Sequence, residues 1–219
     1  LGDIYTSVGR NDGNSGTETN KPKLTLASVL TNAMAPGDII YIDTGTNTPA
    51  VISNTVNGAA GNLITIQGST NYAFGGTIFS GAGTLLSARG SYLRIKNLRM
   101  IGGTYGLELS GATFCEIEGV QAVSNSSQSI RIVGASHSNA IRRCVALSST
   151  LSAFAMDTVP RGTYIENCIG QSSAGTAFGL GPAGSVTNFV GNIALGTTAM
   201  VAGRLPDAAS RNIFFTTRV

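Results

Sequence analysis

The sequence predicts an all-β fold: a single-stranded parallel β-helix, a solenoid of about 24 residues per coil, with one short N-terminal capping helix. Two observations predict it. Short apolar segments return at a nearly constant interval from about residue 90 onward, and the composition suits many short strands joined by tight turns. Of 219 residues 29 are Gly, about 13% against a usual share of roughly 7%, and charged residues are 11% against a usual quarter or so.

One series of segments is led by Ile95, Ile117, Ile141, Ile165 and Phe189, with steps of 22, 24, 24 and 24, and a weaker copy lies at 211–215. A second series runs through Leu107, Ile130, Phe154, Phe178 and Met200, with steps of 23, 24, 24 and 22. Apolar residues alternate with polar or small ones inside each segment, as a strand with one buried face requires. Two interleaved strand series with one period imply one coil per repeat. Each coil stacks on the next at about 4.8 Å and relies on its neighbours to bury its inner face. A leucine-rich repeat would need a helix-forming or Leu/Asn consensus, and a propeller would need blades of about 40 residues or more. Neither pattern is present.

The period predicts columns of like residues. The position before the last apolar residue of the first series reads Asn97, Gly119, Cys144, Cys168, Asn192 and Asn212. Cys144 and Cys168 therefore sit on adjacent coils, where parallel Cβ vectors favour a packed thiol pair over a disulfide. Phe154 and Phe178 fall on an inward column and are expected to stack in the core.

Residues 1–62 read differently, as an N-terminal cap and the first coil or coils, with 63–219 as regular coils of one continuous domain. Residues 4–8 read as a short strand and 9–17 as an Asx- and Gly-rich loop. Residues 25–34 carry the one helical pattern, with Leu26, Val29, Leu30 and Met34 near one face, Thr25 as N-cap and Pro36-Gly37-Asp38 as the stop. The next strand is 39–42. The helix is expected to lie across the first coil and cover its open end.

No stretch approaches the ~18 apolar residues of a membrane span. A net charge of +3 from 14 basic and 11 acidic residues provides no concentrated cationic field for nucleic acid. Three cysteines and the single His137 lack the paired spacing of a zinc site. The chain opens at Leu1 without a charged-then-apolar leader and reads as a processed or excised piece.

The run GRNDGNSGTETNKPKLTLASVL, then APGDIIYIDTGT, then NGAAGNLITIQGS is similar to the opening of secreted bacterial right-handed parallel β-helix proteins of the pectate-lyase-like superfamily. The matching residues are Gly9, Asp12, Asn14, Gly16 and Thr17, then Pro36, Gly37, Asp38 and Ile40, then Gly58, Gly61, Ile64, Thr65 and Ile66. With the later repeats the resemblance covers nearly the whole chain. It implies a right-handed coil and a secreted or cell-surface bacterial protein. It leaves function open, because the superfamily holds lyases, hydrolases, epimerases, tailspikes and adhesins.

Many lyases of that superfamily hold Ca²⁺ on carboxylates, with an Arg or Lys base taking the proton alpha to a uronate carboxyl group. The candidates for such a patch here are Glu116 and Glu118 with Arg142 and Arg143 on the next coil. The competing reading is a ladder of ion pairs, since Lys96, Glu118, Arg142 and Glu166 alternate in sign from coil to coil and Arg94 stacks on Glu116. The ladder is preferred, because a Ca²⁺ site wants three or more oxygens without flanking cations. Asp12-x-Asn14-x-Gly16 offers a partial Ca²⁺ loop, weighed against a self-bonded Asx turn. Asp157 is read as a turn residue, and no outward aromatic stripe for sugar stacking is legible.

The strand Ile213-Phe214-Phe215 closes the chain without a polar cap and is read as an assembly face, covered by further coils or by another copy. The first reading of function is an extracellular structural or adhesive scaffold, self-assembling or filament-forming, with no cofactor. The alternative is a polysaccharide lyase-like enzyme, or the carbohydrate-binding part of one, acting on uronate-containing glycans.

Overall fold

A computed structural model describes residues 3–4, 10–18, 20–148, 150–156, 162–181, 186–201 and 208–216. The chain winds into a parallel β-solenoid with three strand-bearing faces. The first face stacks Asp3–Ile4, Ile39–Ile42, Ile64–Gly68, Leu93–Lys96, Glu116–Glu118, Ala140–Arg142, Thr163–Glu166, Val186–Val190 and Ala208–Ser210 in that order. The second stacks Gly45–Asn47, Thr77–Ser80, Leu98–Ile101, Gln121–Asn125 and Val145–Ser148. It continues through the first halves of Ile169–Gly179 and Ile193–Val201 and ends on Ile213–Thr216. The third stacks Ala50–Ile52, Thr84–Ala88, Tyr105–Ser110, Gln128–Val133 and Phe154–Met156, followed by the second halves of those two long strands.

Three faces replace the two strand series expected from the repeats. A residue with positive φ splits the first series in every coil: Asn97 (57°), Gly119 (61°), Arg143 (52°), Asn167 (55°), Gly191 (68°) and Arg211 (56°). This left-handed corner ends the first face and aims the next residue inward on the second. It also corrects the expected side-chain column. Asn97 and Gly119 belong to the corner, whereas Cys144, Cys168, Asn192 and Asn212 follow it, one position further on. The first two segments are one residue shorter before their last apolar residue, so counting back from that residue slips the register.

Asn side chains close the backbone at the corners. Asn192 Oδ1 accepts the Cys168 N–H (2.9 Å) and its Nδ2 donates to the Ile165 carbonyl (2.9 Å), while Asn212 repeats this with the Asn192 N–H (2.9 Å) and the Phe189 carbonyl (2.7 Å). Buried peptide groups that the ladder leaves open are thereby paired. Cys115, Cys144 and Cys168 are free and buried.

The core is built from inward columns in register. Ile40, Ile66, Ile95, Ile117, Ile141, Ile165 and Phe189 line the first face, all at or below 1% exposure. Phe154 and Phe178 stack on the third face with ring centroids 4.7 Å apart and planes at 4°, as the period predicts. Outward on the second face lie Val145, Ile169, Ile193 and Ile213 in one column. Val123, Leu147, Gln171, Leu195 and Phe215 lie in the other.

The helix is shorter than expected. It spans Leu26–Val29, with Thr25 as N-cap accepting the Ser28 N–H (3.1 Å), and packs near Ala50–Ile52. The Thr31 hydroxyl bonds the Ser28 carbonyl (2.7 Å) and the chain turns, so Leu30 and Met34 pack against the core from a turn instead of a helix face. Of the strand expected at 4–8, residues 5–8 lie outside the described residues, as does Asp157.

Candidate functional site

The outer surface of the first face carries most of the charged residues singled out by the sequence. Alternation places Arg94, Glu116, Ala140 and Tyr164 in one outward column and Lys96, Glu118, Arg142 and Glu166 in the next. Ion pairs bridge coils. Arg94 Nη2 lies 2.7 Å from Glu116 Oε2, and Arg142 Nε lies 2.8 Å from Glu166 Oε2. Arg143, in the left-handed corner, pairs with Glu118. The alternating ladder is thus present in register, but Glu118 takes its partner from the corner and not from its own column.

Beside these pairs runs an open groove of about 340 Å³ along the corner that precedes the first face. Its walls include Tyr92, Phe114 and Tyr164, with Ser138, Glu116 and Arg142 supplying polar atoms. Tyr92 and Phe114 sit at positive φ (55° and 56°) on successive coils, which turns both side chains out of the core. Their rings stack at 4.9 Å and 9°, and His137 meets Phe114 edge-on at 5.3 Å. Phe114 is 43% exposed. An outward aromatic group therefore exists, contrary to expectation. Its signal was a Tyr and a Phe 22 residues apart immediately before the repeat's leading segment. The strand pattern excludes these corner positions, so alternation alone did not reveal them.

Glu116 and Arg142 both line the groove, whereas Glu118 and Arg143 form the flanking pair. Asp12 and Asn14 lie elsewhere and brace the N-terminal loop. Asp12 Oδ1 accepts the N–H groups of Leu24 (3.0 Å) and Thr25 (2.9 Å), and Asn14 Nδ2 donates to the Pro22 carbonyl (2.8 Å). Among the described residues no group of three or more His, Cys, Asp or Glu is arranged to hold a metal ion.

A second charged constellation, unforeseen from the sequence, lies outward on the third face. Glu108 is 7% exposed. Its Oε1 accepts the Ser87 hydroxyl (2.8 Å) and its Oε2 accepts Arg131 Nε (2.7 Å), while the Arg131 guanidinium lies 3.6 Å over the Tyr105 ring. The register Ser87–Glu108–Arg131 brings these together from three coils. In the sequence they are separated by more than twenty residues at each step.

The proposed assembly residues divide between two surfaces. Phe214 points inward, 6.3 Å from Phe189 in a stacked arrangement, while Ile213 and Phe215 continue the outward columns of the second face. All three are exposed. No helix among the described residues is long and apolar enough to cross a membrane.

No protein-family profile matches the chain, and no curated protein sequence matches it. Solved structures do resemble it. An alginate lyase from Paenibacillus sp. str. FPU-7 superposes with a TM-score of 0.58 at 18% identity, over 87% of this chain and 92% of that one. Pectate lyase Pel9A gives 0.65 at 15% identity, over 90% and 64% of the two chains. The pectin methylesterase from Aspergillus niger gives 0.61 at 11% identity, over 92% and 79%. At these identities the likeness is one of fold: the chain shares the parallel β-helix architecture of these proteins.

Proposed function

We propose that the chain is a polysaccharide-binding β-helix whose ligand lies in the groove beside the first face. The observation that carries this reading is the outward aromatic wall of Tyr92, Phe114 and Tyr164 next to the polar atoms of Glu116, Ser138 and Arg142. Apolar ring faces with a few convergent polar groups suit a sugar, which has both C–H faces and hydroxyl edges. An open groove following the stacked coils fits a chain better than an enclosed small molecule. The fold neighbours named for alginate, pectate and pectin support this reading over an inert scaffold. Action on an extracellular glycan makes a secreted or cell-surface location the matching expectation.

Binding is tested by affinity electrophoresis or calorimetry against a panel of neutral and uronate-containing polysaccharides. Phe114→Ala and Tyr164→Ala are expected to weaken binding about tenfold or more, equal to about 1.4 kcal/mol each, without unfolding the chain. Failure to bind any member of the panel would sink the reading. A parallel assay for unsaturated uronate products separates a binding module from a lyase. Product formation abolished by Arg142→Ala would assign the groove a catalytic role, and absence of product with intact binding leaves it a recognition site.

A further inference from the structure

The groove is built around a gap in the first face. Glu116, Ala140 and Tyr164 follow one another in register on successive coils, so Ala140 forms a floor between two long side chains. Ser138, at a φ of 54° in the corner, bounds the gap on one side and Arg142 bounds it on the other, each two residues from Ala140. Phe114 stands one coil before Ser138 in the same corner column. The coils of Glu116 and Tyr164 are about 10 Å apart, which leaves room for one six-membered ring on the alanine.

Charge in this gap cancels. Glu116 and Arg142 are the charged residues of its walls, and each already has a counter-ion. Arg94 donates to Glu116 Oε2 from both Nε (2.8 Å) and Nη2 (2.7 Å), and Arg142 donates to Glu166 Oε2 from Nε (2.8 Å). Glu116 Oε1 and the Arg142 Nη groups have no protein partner among the described residues, so they are open to hydroxyls as acceptor and donors. Lys96, the charge left over in the two outward columns between Arg94 and Glu166, lies two coils from Ala140, about a Debye length at physiological salt. We infer that the groove selects an uncharged sugar ring over a uronate at Ala140, an inference that rests on the groove being a glycan site. A carboxylate on Ala140 lies one coil, about 4.8 Å, from Glu116 and about 6.6 Å along the strand from Arg142, whose charge Glu166 neutralises. It sheds hydration without gaining an uncompensated cation. Hydroxyls carry no such cost, and the C–H face of their ring suits the aromatic side chains of Phe114 and Tyr164.

Alginate and polygalacturonate each supply an acid and, once their carboxyl groups are reduced to primary alcohols, a neutral polymer with the same linkages. Calorimetry with a chelator present prevents cations from bridging the acids. His137 meets Phe114 edge-on and shares a hydrogen bond with Ser138 (3.2 Å), so the titrations run at about pH 8, above the range in which an imidazole takes up charge. In each pair that binds, the neutral polymer is expected to bind about tenfold or more tighter. Its affinity is expected to hold between about 50 and 500 mM salt. Glu166→Gln leaves the groove walls in place and uncovers the charge of Arg142, and the exposed pair contributes little to folding. That variant is expected to bind the acids about tenfold tighter than the native chain does, with the neutral polymers within about twofold. A neutral polymer bound while both acids are refused supports the inference equally. A native chain that binds the acid as well as or better than its reduced form overturns the selectivity alone, as does a Glu166→Gln variant with an unchanged acid-to-neutral ratio. Absence of binding to every polymer sinks the glycan reading and this inference with it.

Discussion

Single residues hold the corners of this solenoid, and the cost of losing one follows from what it pairs. Asn192 is fully buried and satisfies a peptide N–H and a carbonyl of the preceding coil. Asn192→Ala orphans both, and urea unfolding should register a loss of about 2–4 kcal/mol. Gly191 combines a φ of 68° with Asn167 Oδ1 only 2.3 Å from where a Cβ would stand. Gly191→Ala therefore requires the Asn167 side chain to move, in addition to its backbone penalty. Burial raises the Cys115 thiol from its ordinary value of 9.0 to about 11. The folded state keeps this thiol protonated after the unfolded chain has ionised. Its contribution to stability is complete below pH 9 and fades as pH climbs towards about 11, which chemical denaturation at stepped pH can follow. Asn corners and Gly-rich turns were visible in the sequence as residue types. Which Asn faces inward was not, because a one-residue difference in segment length exchanges corner and core.

At the level of strands, burial sets two charge arrangements apart. The Arg94–Glu116 and Arg142–Glu166 side chains are about 25–41% exposed, so a double-mutant cycle on Arg142 and Glu166 is expected to return roughly 0.2–1 kcal/mol, decreasing with salt. Glu108 sits at 7% exposure with Ser87 and Arg131 on its carboxylate. Glu108→Ala leaves Arg131 without that partner, and the expected loss in thermal or urea unfolding is about 3–5 kcal/mol. The ladder was legible from the period alone, since like positions meet on adjacent coils. The Glu108 network obeys the same register, yet nothing local marks it as buried. The aromatic groove escaped for another reason: Tyr92 and Phe114 sit in corners, where neither strand alternation nor helical periodicity assigns a face.

Across the whole molecule the core keeps its cross-section filled by trading volume between faces. The inward column of the second face shrinks from Phe79 and Met100 to Ala122, Ala146, Gly170 and Ala194. The facing column of the third grows from Leu86, Leu107 and Ile130 to Phe154 and Phe178. At Gly170 a Cβ would meet Phe178 Cε2 at 2.7 Å. Phe178→Ala should cost about 3–5 kcal/mol through the cavity it leaves. Gly170→Ala should be destabilising alone and less so with Phe178→Leu, a coupling measurable as non-additive unfolding free energies.

The parallel solenoid, its period and the inward aliphatic columns follow from the sequence, because a repeat that alternates apolar and polar residues can bury one face only by stacking on itself. The number of faces, the outward aromatic groove and the outward columns of the second face required the tertiary structure. Each depends on the left-handed corners, where a single φ redirects every later side chain, and apolar periodicity carries no record of that angle.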